Sequence, residues 1–304
     1  MRKLTYAIAS IAFLLAGCSQ EESIMENKGE LVTLNYNINL NDGVQSRAGG
    51  ETTGYGVNNL LCLVFEKGGT TALKREVVEV TSGTIQYTPV LFKNIEYRIV
   101  FWAYHKNGSD SCYTITDQAS VTTNENYDKN HFANDLYKNA FTAVDDVKIV
   151  NDASPTSVTL TRPFGQINVY TTKSDWDNAK ALGSTPTTST LTLTGYQTTY
   201  DAFNQKWIDG ETSLTLTSTP SETNYCLASE YVFANGNKKC GVEVKDQNSK
   251  SIYSYTIESL PIGKNQRTNI KPEEGSAGLM TGSVSYTVQV SDGFSTEDNN
   301  QKIN

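Results

Sequence analysis

The chain has 304 residues, enough for one large domain or two of ordinary size. A formal net charge of -8 leaves no basic field to release counterions from a phosphate backbone, so nucleic acid is excluded as an expected partner. Only 19% of residues are charged, and 17 tyrosines stand among many Thr and Val, a composition suited to half-buried strands and common outside the cell.

The N-terminus addresses the compartment. MRK is a short basic start, and TYAIASIAFLLAG is an apolar run shorter than the ~20 residues of a membrane-spanning helix. It ends in LLAGC, Leu14 to Cys18, which resembles a bacterial lipobox. Such a box implies that residues 1–17 are a signal peptide and that the Cys18 thiol is acylated. Lipid on Cys18 would anchor the protein and leave the rest in water, with residues 18–30 as a tether. SQEES, just after the cysteine, resembles the acidic export tag of surface lipoproteins in Bacteroidetes. A plain secretory signal with a chance cysteine is the competing reading.

Residues 31–40 alternate. Val32, Leu34, Tyr36, Ile38 and Leu40 share one face, and Thr33, Asn35, Asn37 and Asn39 the other, which predicts a half-buried strand. NDGVQSRAGG follows, a small-residue loop around the single cation Arg47, of the kind that proteases nick. NNLLCLVFEK is nearly continuous apolar, as in a central strand buried on both faces. KREVVEVTS alternates, and IEYRIVFWAYHK is a long aromatic strand. Residues 107–157 carry few strand signals, with NDLYKNAFTAVDD read as a short helix or irregular crossover and NDASPTS as a turn or linker. A divide near residue 155 gives two halves, 31–155 and 156–304, each of ordinary domain size. The second half opens with SVTLTRPFGQINVYTT and then offers one clear helix, SDWDNAKAL, capped by Ser174 or Asp175. Closely spaced strands follow, from STLTLTGYQTTYDAFNQKW to TGSVSYTVQVSDGF, split by Gly, Asn and Pro in the manner of β-sandwiches.

Chemistry finds little footing. His105 and His131 have no serine or cysteine beside them in a nucleophile motif, and Asp145–Asp146 reads as solvated surface. No phosphate loop, EF-hand spacing or CxxC pair occurs, so no catalytic residue, metal or cofactor is expected. Cys62, Cys112, Cys226 and Cys240 allow three disulfide pairings in an oxidising envelope. Cys226 and Cys240 flank the NGNK loop and could cross-link neighbouring strands, whereas Cys62, inside LLCLVF, reads as a buried thiol.

Three segments carry a family resemblance. EYRIVFWAYHKNGSDSCYTI is followed downstream by KNAFTA; VTLTRPFGQINVYTT opens the second half; and ESLPIGKNQRTNI runs, after the extra KPEEGSA, into GLMTGSVSYTVQVSDGF. Behind a lipobox, their order and spacing resemble the fimbrillin-like lipoproteins of Bacteroidales, nearest to the DUF6562-type branch of the major and minor fimbrillin superfamily. The resemblance implies a mainly β chain with two transthyretin-like β-sandwich domains in tandem. It implies a fimbrial subunit of the outer-membrane surface, exported as a lipoprotein and supporting adhesion, with other fimbrial subunits as partners and a host or bacterial surface ligand as a candidate. In this superfamily an arginine-specific protease cuts after an arginine beyond the first strand, and a neighbour's strand fills the groove. The matching bond here joins Arg47 to Ala48, and residues 31–47 would be lost on maturation. KPEEGSA would lengthen a hairpin loop.

Elementary physics supports that implication. Loss of residues 31–40 would expose unpaired N–H and C=O groups and vacate five apolar sites, both of which an added strand satisfies. SVSYTVQV offers Val284, Tyr286, Val288 and Val290 in alternation as a candidate donor; an ordinary strand of the second half is the competing reading. The alternative function is a non-polymerising surface adhesin or glycan-binding lipoprotein. Its sugar-stacking rings would come from Trp102, Trp176 or Trp207, each of which also reads as core. An envelope hydrolase is the remaining outsider.

Overall fold

The computed structural model describes residues 29–40, 56–81, 84–107, 110–123, 138–150, 155–233, 235–273 and 286–292. Cys18, Arg47, Ala48, His131, Val284 and most of KPEEGSA lie outside the described residues.

The chain is mainly β, as its composition predicts. In order, the first strands are β1 (Leu31–Thr33), β2 (Tyr36–Leu40), β3 (Asn59–Glu66), β4 (Lys74–Glu79), β5 (Thr84–Tyr87), β6 (Val90–Phe92) and β7 (Glu96–Tyr104). Then come β8 (Lys106–Asn107), β9 (Asp110–Ser111), β10 (Tyr113–Ile115), β11 (Ser120–Thr123), β12 (Ala140–Lys148), β13 (Thr156–Leu160) and β14 (Gly165–Tyr170). After helix α1 (Lys173–Ala181) follow β15 (Pro186–Asp201), β16 (Lys206–Ser218), β17 (Cys226–Val232), β18 (Gly236–Asp246), β19 (Ser251–Ile262), β20 (Gln266–Pro272) and β21 (Tyr286–Asp292).

Four sheets matter for function. A three-stranded sheet, β13-β2-β5, faces the four-stranded sheet β12-β7-β3-β4. A long sheet, β10-β11-β15-β18-β19 with β16 also on β15, stands against the short sheet β17-β14-β20-β21. The apolar run of β3 has its reason here, because its sheet is buried on both faces. Leu60, Cys62 and Val64 join one core with Ile99, Phe101 and Ala103 of β7; Leu61, Leu63 and Phe65 join the other with Val100, Trp102 and Tyr104. Period-two geometry sends successive side chains to opposite faces, so a strand between two cores has no polar face.

Several boundaries differ from the sequence reading. The run 31–40 is two strands: β1 pairs with β6, and β2 pairs with β5 and β13. β13 lies beyond the expected divide at 155, yet runs parallel to β2, so the exchange of sheets comes after Leu160. In the other direction, β11 pairs with β15, so residues of the first half extend the long sheet. Alanine and phenylalanine in KNAFTAVDD look compatible with a helix, but pairing with β7 over nine residues makes them strand β12. STLTLTGYQTTYDAFNQKW is interrupted by a tight turn, where Asp201 Oδ1 accepts the Asn204 amide at 2.9 Å before β16 returns along β15.

The helix forms where expected but is capped two or three positions earlier, by Thr172, whose Oγ1 accepts the Asp175 amide at 3.0 Å. It buries Trp176 and Ala179, and ends at Gly183, whose φ of +72° suits the left-handed turn after Leu182. No helix among the described residues is long and apolar enough to cross a membrane.

Candidate functional site in the first-strand groove

β2 is a central strand with a neighbour on each side. Tyr36, Asn37, Ile38 and Asn39 stand opposite Tyr87, Gln86, Ile85 and Thr84 of antiparallel β5. On the other side Tyr36 to Leu40 pair in parallel with Thr156 to Leu160. Before it, Leu34 N donates to Pro89 O at 2.9 Å, and Asn35 O accepts from Thr156 N at 2.8 Å, so the short break between β1 and β2 is also bonded. Without this segment, β5 and β13 would face each other across about 9–10 Å, two strand spacings, each with an unpaired backbone edge.

The five side chains named from the alternation all point into one core. Val32, Leu34, Tyr36, Ile38 and Leu40 are 4%, 3%, 1%, 0% and 9% exposed. They meet Leu60, Cys62, Val64, Phe101 and Phe141 beneath them. At ~1.5–3 kcal/mol each as an upper bound, their burial is worth on the order of 10 kcal/mol, comparable with the whole stability of a domain.

One polar contact fixes the strand's position. The Tyr36 hydroxyl donates to Asp145 Oδ2 at 2.8 Å, across the core, and its ring lies 5.4 Å from Phe101 edge-on. A parallel contact joins the Tyr87 hydroxyl to Glu76 Oε2 at 2.6 Å. Burial first, and then the Asp145 carboxylate, push the Tyr36 hydroxyl far above the usual tyrosine range; burial, Cys62 and Glu76 do the same to Tyr87. Both phenols thus stay protonated donors. Asp145 was read from sequence as plain surface; its pairing with Tyr36 depends on a contact 109 residues away, which no local pattern announces.

The candidate donor strand sits differently. β21 pairs only with β20, antiparallel, from Tyr286↔Pro272 to Asp292↔Gln266, and forms an edge among the described strands. Tyr286 and Val288 are half-buried against the other core, whereas Val290 is 43% exposed. The Tyr286 hydroxyl reaches Thr256 O at 3.4 Å, a weak bond.

The remaining sequence candidates fall into place. Trp102, Trp176 and Trp207 are buried, so none offers a face to a sugar. His105 Nδ1 lies 2.9 Å from Gly56 O. Cys62, Cys112, Cys226 and Cys240 are buried thiols, none joined in a disulfide; burial pushes Cys240 up to about 12 and Cys62 well above its ordinary value. Among the described residues no three His, Cys, Asp or Glu side chains are grouped to hold a metal ion.

A surface cavity of about 450 Å³ opens beside the start of β7, lined by Lys67, Glu96, Arg98, Asp146, Lys148 and Phe203 among others. Its charges pair with one another. Arg98 donates twice to Asp146, at 2.7 and 2.6 Å, and lies over the Phe203 ring at 4.8 Å, while Glu96 is shared by Lys67 and Lys148. The guanidinium bond holds Asp146 below the usual carboxylate range, and the two lysines do so for Glu96.

Comparison with solved structures finds the same fold at low identity. The tip fimbrial protein Mfa3 from Porphyromonas gingivalis, with a C-terminal truncation, is 11% identical with a TM-score of 0.53, covering 86% of this chain and 100% of that one. A candidate cell adhesion protein from Bacteroides eggerthii is 14% identical with a TM-score of 0.55, covering 87% and 97%. A candidate polysaccharide binding protein from Bacteroides thetaiotaomicron is 10% identical with a TM-score of 0.53, covering 86% and 98%. No curated protein sequence matches the chain. The profile of DUF6562, described as a family of unknown function, matches residues 25–304, and the chain belongs to that family.

Proposed function

We propose that the protein is a fimbrial subunit of the bacterial surface. It arrives as a lipoprotein anchored to the outer membrane through Cys18, is cut between Arg47 and Ala48, and polymerises when another subunit's strand enters the vacated groove. The observation that carries this reading is the burial of Val32, Leu34, Tyr36, Ile38 and Leu40 on a segment whose second strand, β2, is bonded to a strand on each side. A segment so enclosed leaves, when removed, a slot that only another strand can fill, because both edges and the floor must be satisfied together. The fold shared with a tip fimbrial protein and a candidate cell adhesion protein supports a role in fimbriae and adhesion rather than catalysis.

The test is to isolate surface material from native cells, resolve it without full heat denaturation, and sequence its N-terminus. A ladder of multimers beginning at Ala48 is expected, and Arg47→Ala should abolish it. A single lipidated species beginning at Cys18, unchanged by Arg47→Ala, would remove the polymer reading. The cavity at Arg98 and Phe203 favours, as a second reading, a surface adhesin that holds a ligand without polymerising. A glycan array with no binding by the intact protein would remove the saccharide form of that reading.

A further inference from the structure

The surface cavity beside β7 is built on the face of the middle sheet that turns away from the groove. β7 and β12 pair in register. Ile99 and Asp145 turn toward the first strand, whereas Arg98 and Asp146 turn toward the cavity. Period-two geometry requires this, because neighbours on a strand face opposite ways. The cavity floor alternates in sign along and across the two strands: Glu96 stands opposite Lys148, and Arg98 opposite Asp146. Lys67 and Thr70, from the β3–β4 connection, add an ammonium and a hydroxyl to the lining.

These charges do not cancel. Arg98 is fully engaged: it donates twice to Asp146 and, at 3.3 Å, to Phe203 O, with its guanidinium over the Phe203 ring. Glu96, in contrast, serves two ammonium groups. Lys67 bonds it, Lys148 lies 3.3 Å from it, and neither lysine has another carboxylate partner among the described residues. An ammonium has three donors, so both exposed lysines keep donors for a second anion. Three cations against two carboxylates make the cavity locally positive on a chain of net charge -8.

The same cavity also offers acceptors. Asp146 is largely exposed despite its bonds to Arg98. The Phe203 ring gives no stacking platform on the face that the guanidinium covers. A fitting ligand must therefore bring an acid for the lysines and donors for Asp146 into about 450 Å³, a volume ordinary for small-ligand sites. A neutral sugar would leave the lysine donors without an anion, and a simple anion would leave the carboxylate unused. An acidic sugar satisfies both.

We propose that this cavity binds a sugar unit bearing a carboxylate or sulfate, with Lys67 and Lys148 holding the acid group and Asp146 accepting from hydroxyls. The inference rests on the second reading above, that the cavity holds a ligand, and it names the class of that ligand. Because cavity and groove lie on opposite faces of one sheet, the site serves a subunit whatever fills its groove.

Calorimetric titration of the full chain tests the acid directly. The probes are a hyaluronan tetrasaccharide, its carboxyl-reduced form, which differs only in lacking the acids, and a chondroitin sulfate tetrasaccharide. The acidic probes should bind, with affinity falling as ionic strength rises. The reduced form should bind about tenfold more weakly or worse. Lys67→Ala and Lys148→Ala should each weaken acidic binding about three- to tenfold. Lys239→Ala, which removes an exposed lysine paired with Glu258 outside the cavity, should leave it unchanged. All three lysines are exposed, so the fold should survive each change. Equal affinity for the acidic and reduced forms would overturn the role of the acid and leave the ligand reading standing. Acid-selective binding that survives loss of both Lys67 and Lys148 would overturn the site. Binding of neutral glycans on the array with none of the acidic probes bound would overturn the class alone. No binding of any glycan would overturn this inference and the saccharide reading together.

Discussion

β2 and β21 both alternate apolar and polar residues after a tyrosine, yet experience different surroundings. Leu40, at the end of β2, is 9% exposed, while Val290, at the same place after the tyrosine of β21, is 43% exposed on an edge. Alternation states only that a strand has an apolar face. How much of that face is enclosed depends on how many neighbours the tertiary structure supplies and on what lies beneath. The difference also separates two mechanical roles. A central strand cannot be withdrawn without exposing a core, whereas an edge strand gives up one ladder and a partly wet face.

The largest effect that would sharpen this contrast is chemical. Cys62 is 0% exposed in the floor beneath β2, beside Tyr36 and Tyr87. Alkylation of the intact protein should therefore require opening of the core. Once the first strand is cut free and before the groove is refilled, Cys62 should react about a thousandfold faster or more, while Cys240 in the other core stays protected. Mass spectrometry of tryptic fragments reads this directly. Equal protection of Cys62 before and after the cut would mean that the groove does not open.

Next in size is the cost of trimming each strand in the uncut chain. Ile38→Ala should destabilise by about 3 kcal/mol in urea unfolding, through lost burial and a residual cavity. Val290→Ala should change stability by less than about 0.5 kcal/mol. Similar values for both would erase the distinction between enclosed and edge strands.

A smaller difference is expected for the two tyrosines. Tyr36→Phe removes the donor from Asp145 and should cost about 1–2 kcal/mol, whereas Tyr286→Phe, losing a long contact at an exposed site, should cost a few tenths.

The smallest effect concerns pH and lies outside the groove. Asp146 is held below the usual carboxylate range by its bond to Arg98. A lowered folded-state value means that the contribution is present above the unfolded carboxylate value, about pH 4, and is lost as pH falls through the folded one. Because Asp146 is 62% exposed, solvent screening keeps this contribution small. Arg98→Met should lower Tm slightly at pH 6–7, with the gap to wild type closing below about pH 3. A gap that persists at low pH would assign the loss to Arg98 packing on Phe203 rather than to charge.

Much of the groove was legible in the sequence, for a physical reason. A half-buried strand must alternate, so Val32 through Leu40 declared their face without any knowledge of a partner, and all five are enclosed. The continuous apolar run of β3 likewise announced burial on both sides. The α1 residues announced a helix, because good formers follow a capping position. What remained hidden was pairing. The helix-compatible letters of KNAFTAVDD become β12 only because β7 lies beside them. Asp145 becomes part of the site only because the core brings Tyr36 to it.

By itself, then, the sequence determined the period of each strand, the low charge of the surface and the alternation that β2 and β21 share. These are properties of neighbouring residues, set by the pleat and by side-chain polarity. Only the tertiary structure decided that β2 is central and β21 an edge among the described strands, that β13 pairs with β2 although it follows the linker, and that Asp145 meets Tyr36. Those depend on loops closed over tens to a hundred residues, where the free energy lies in contacts between distant segments and leaves no local periodicity to read.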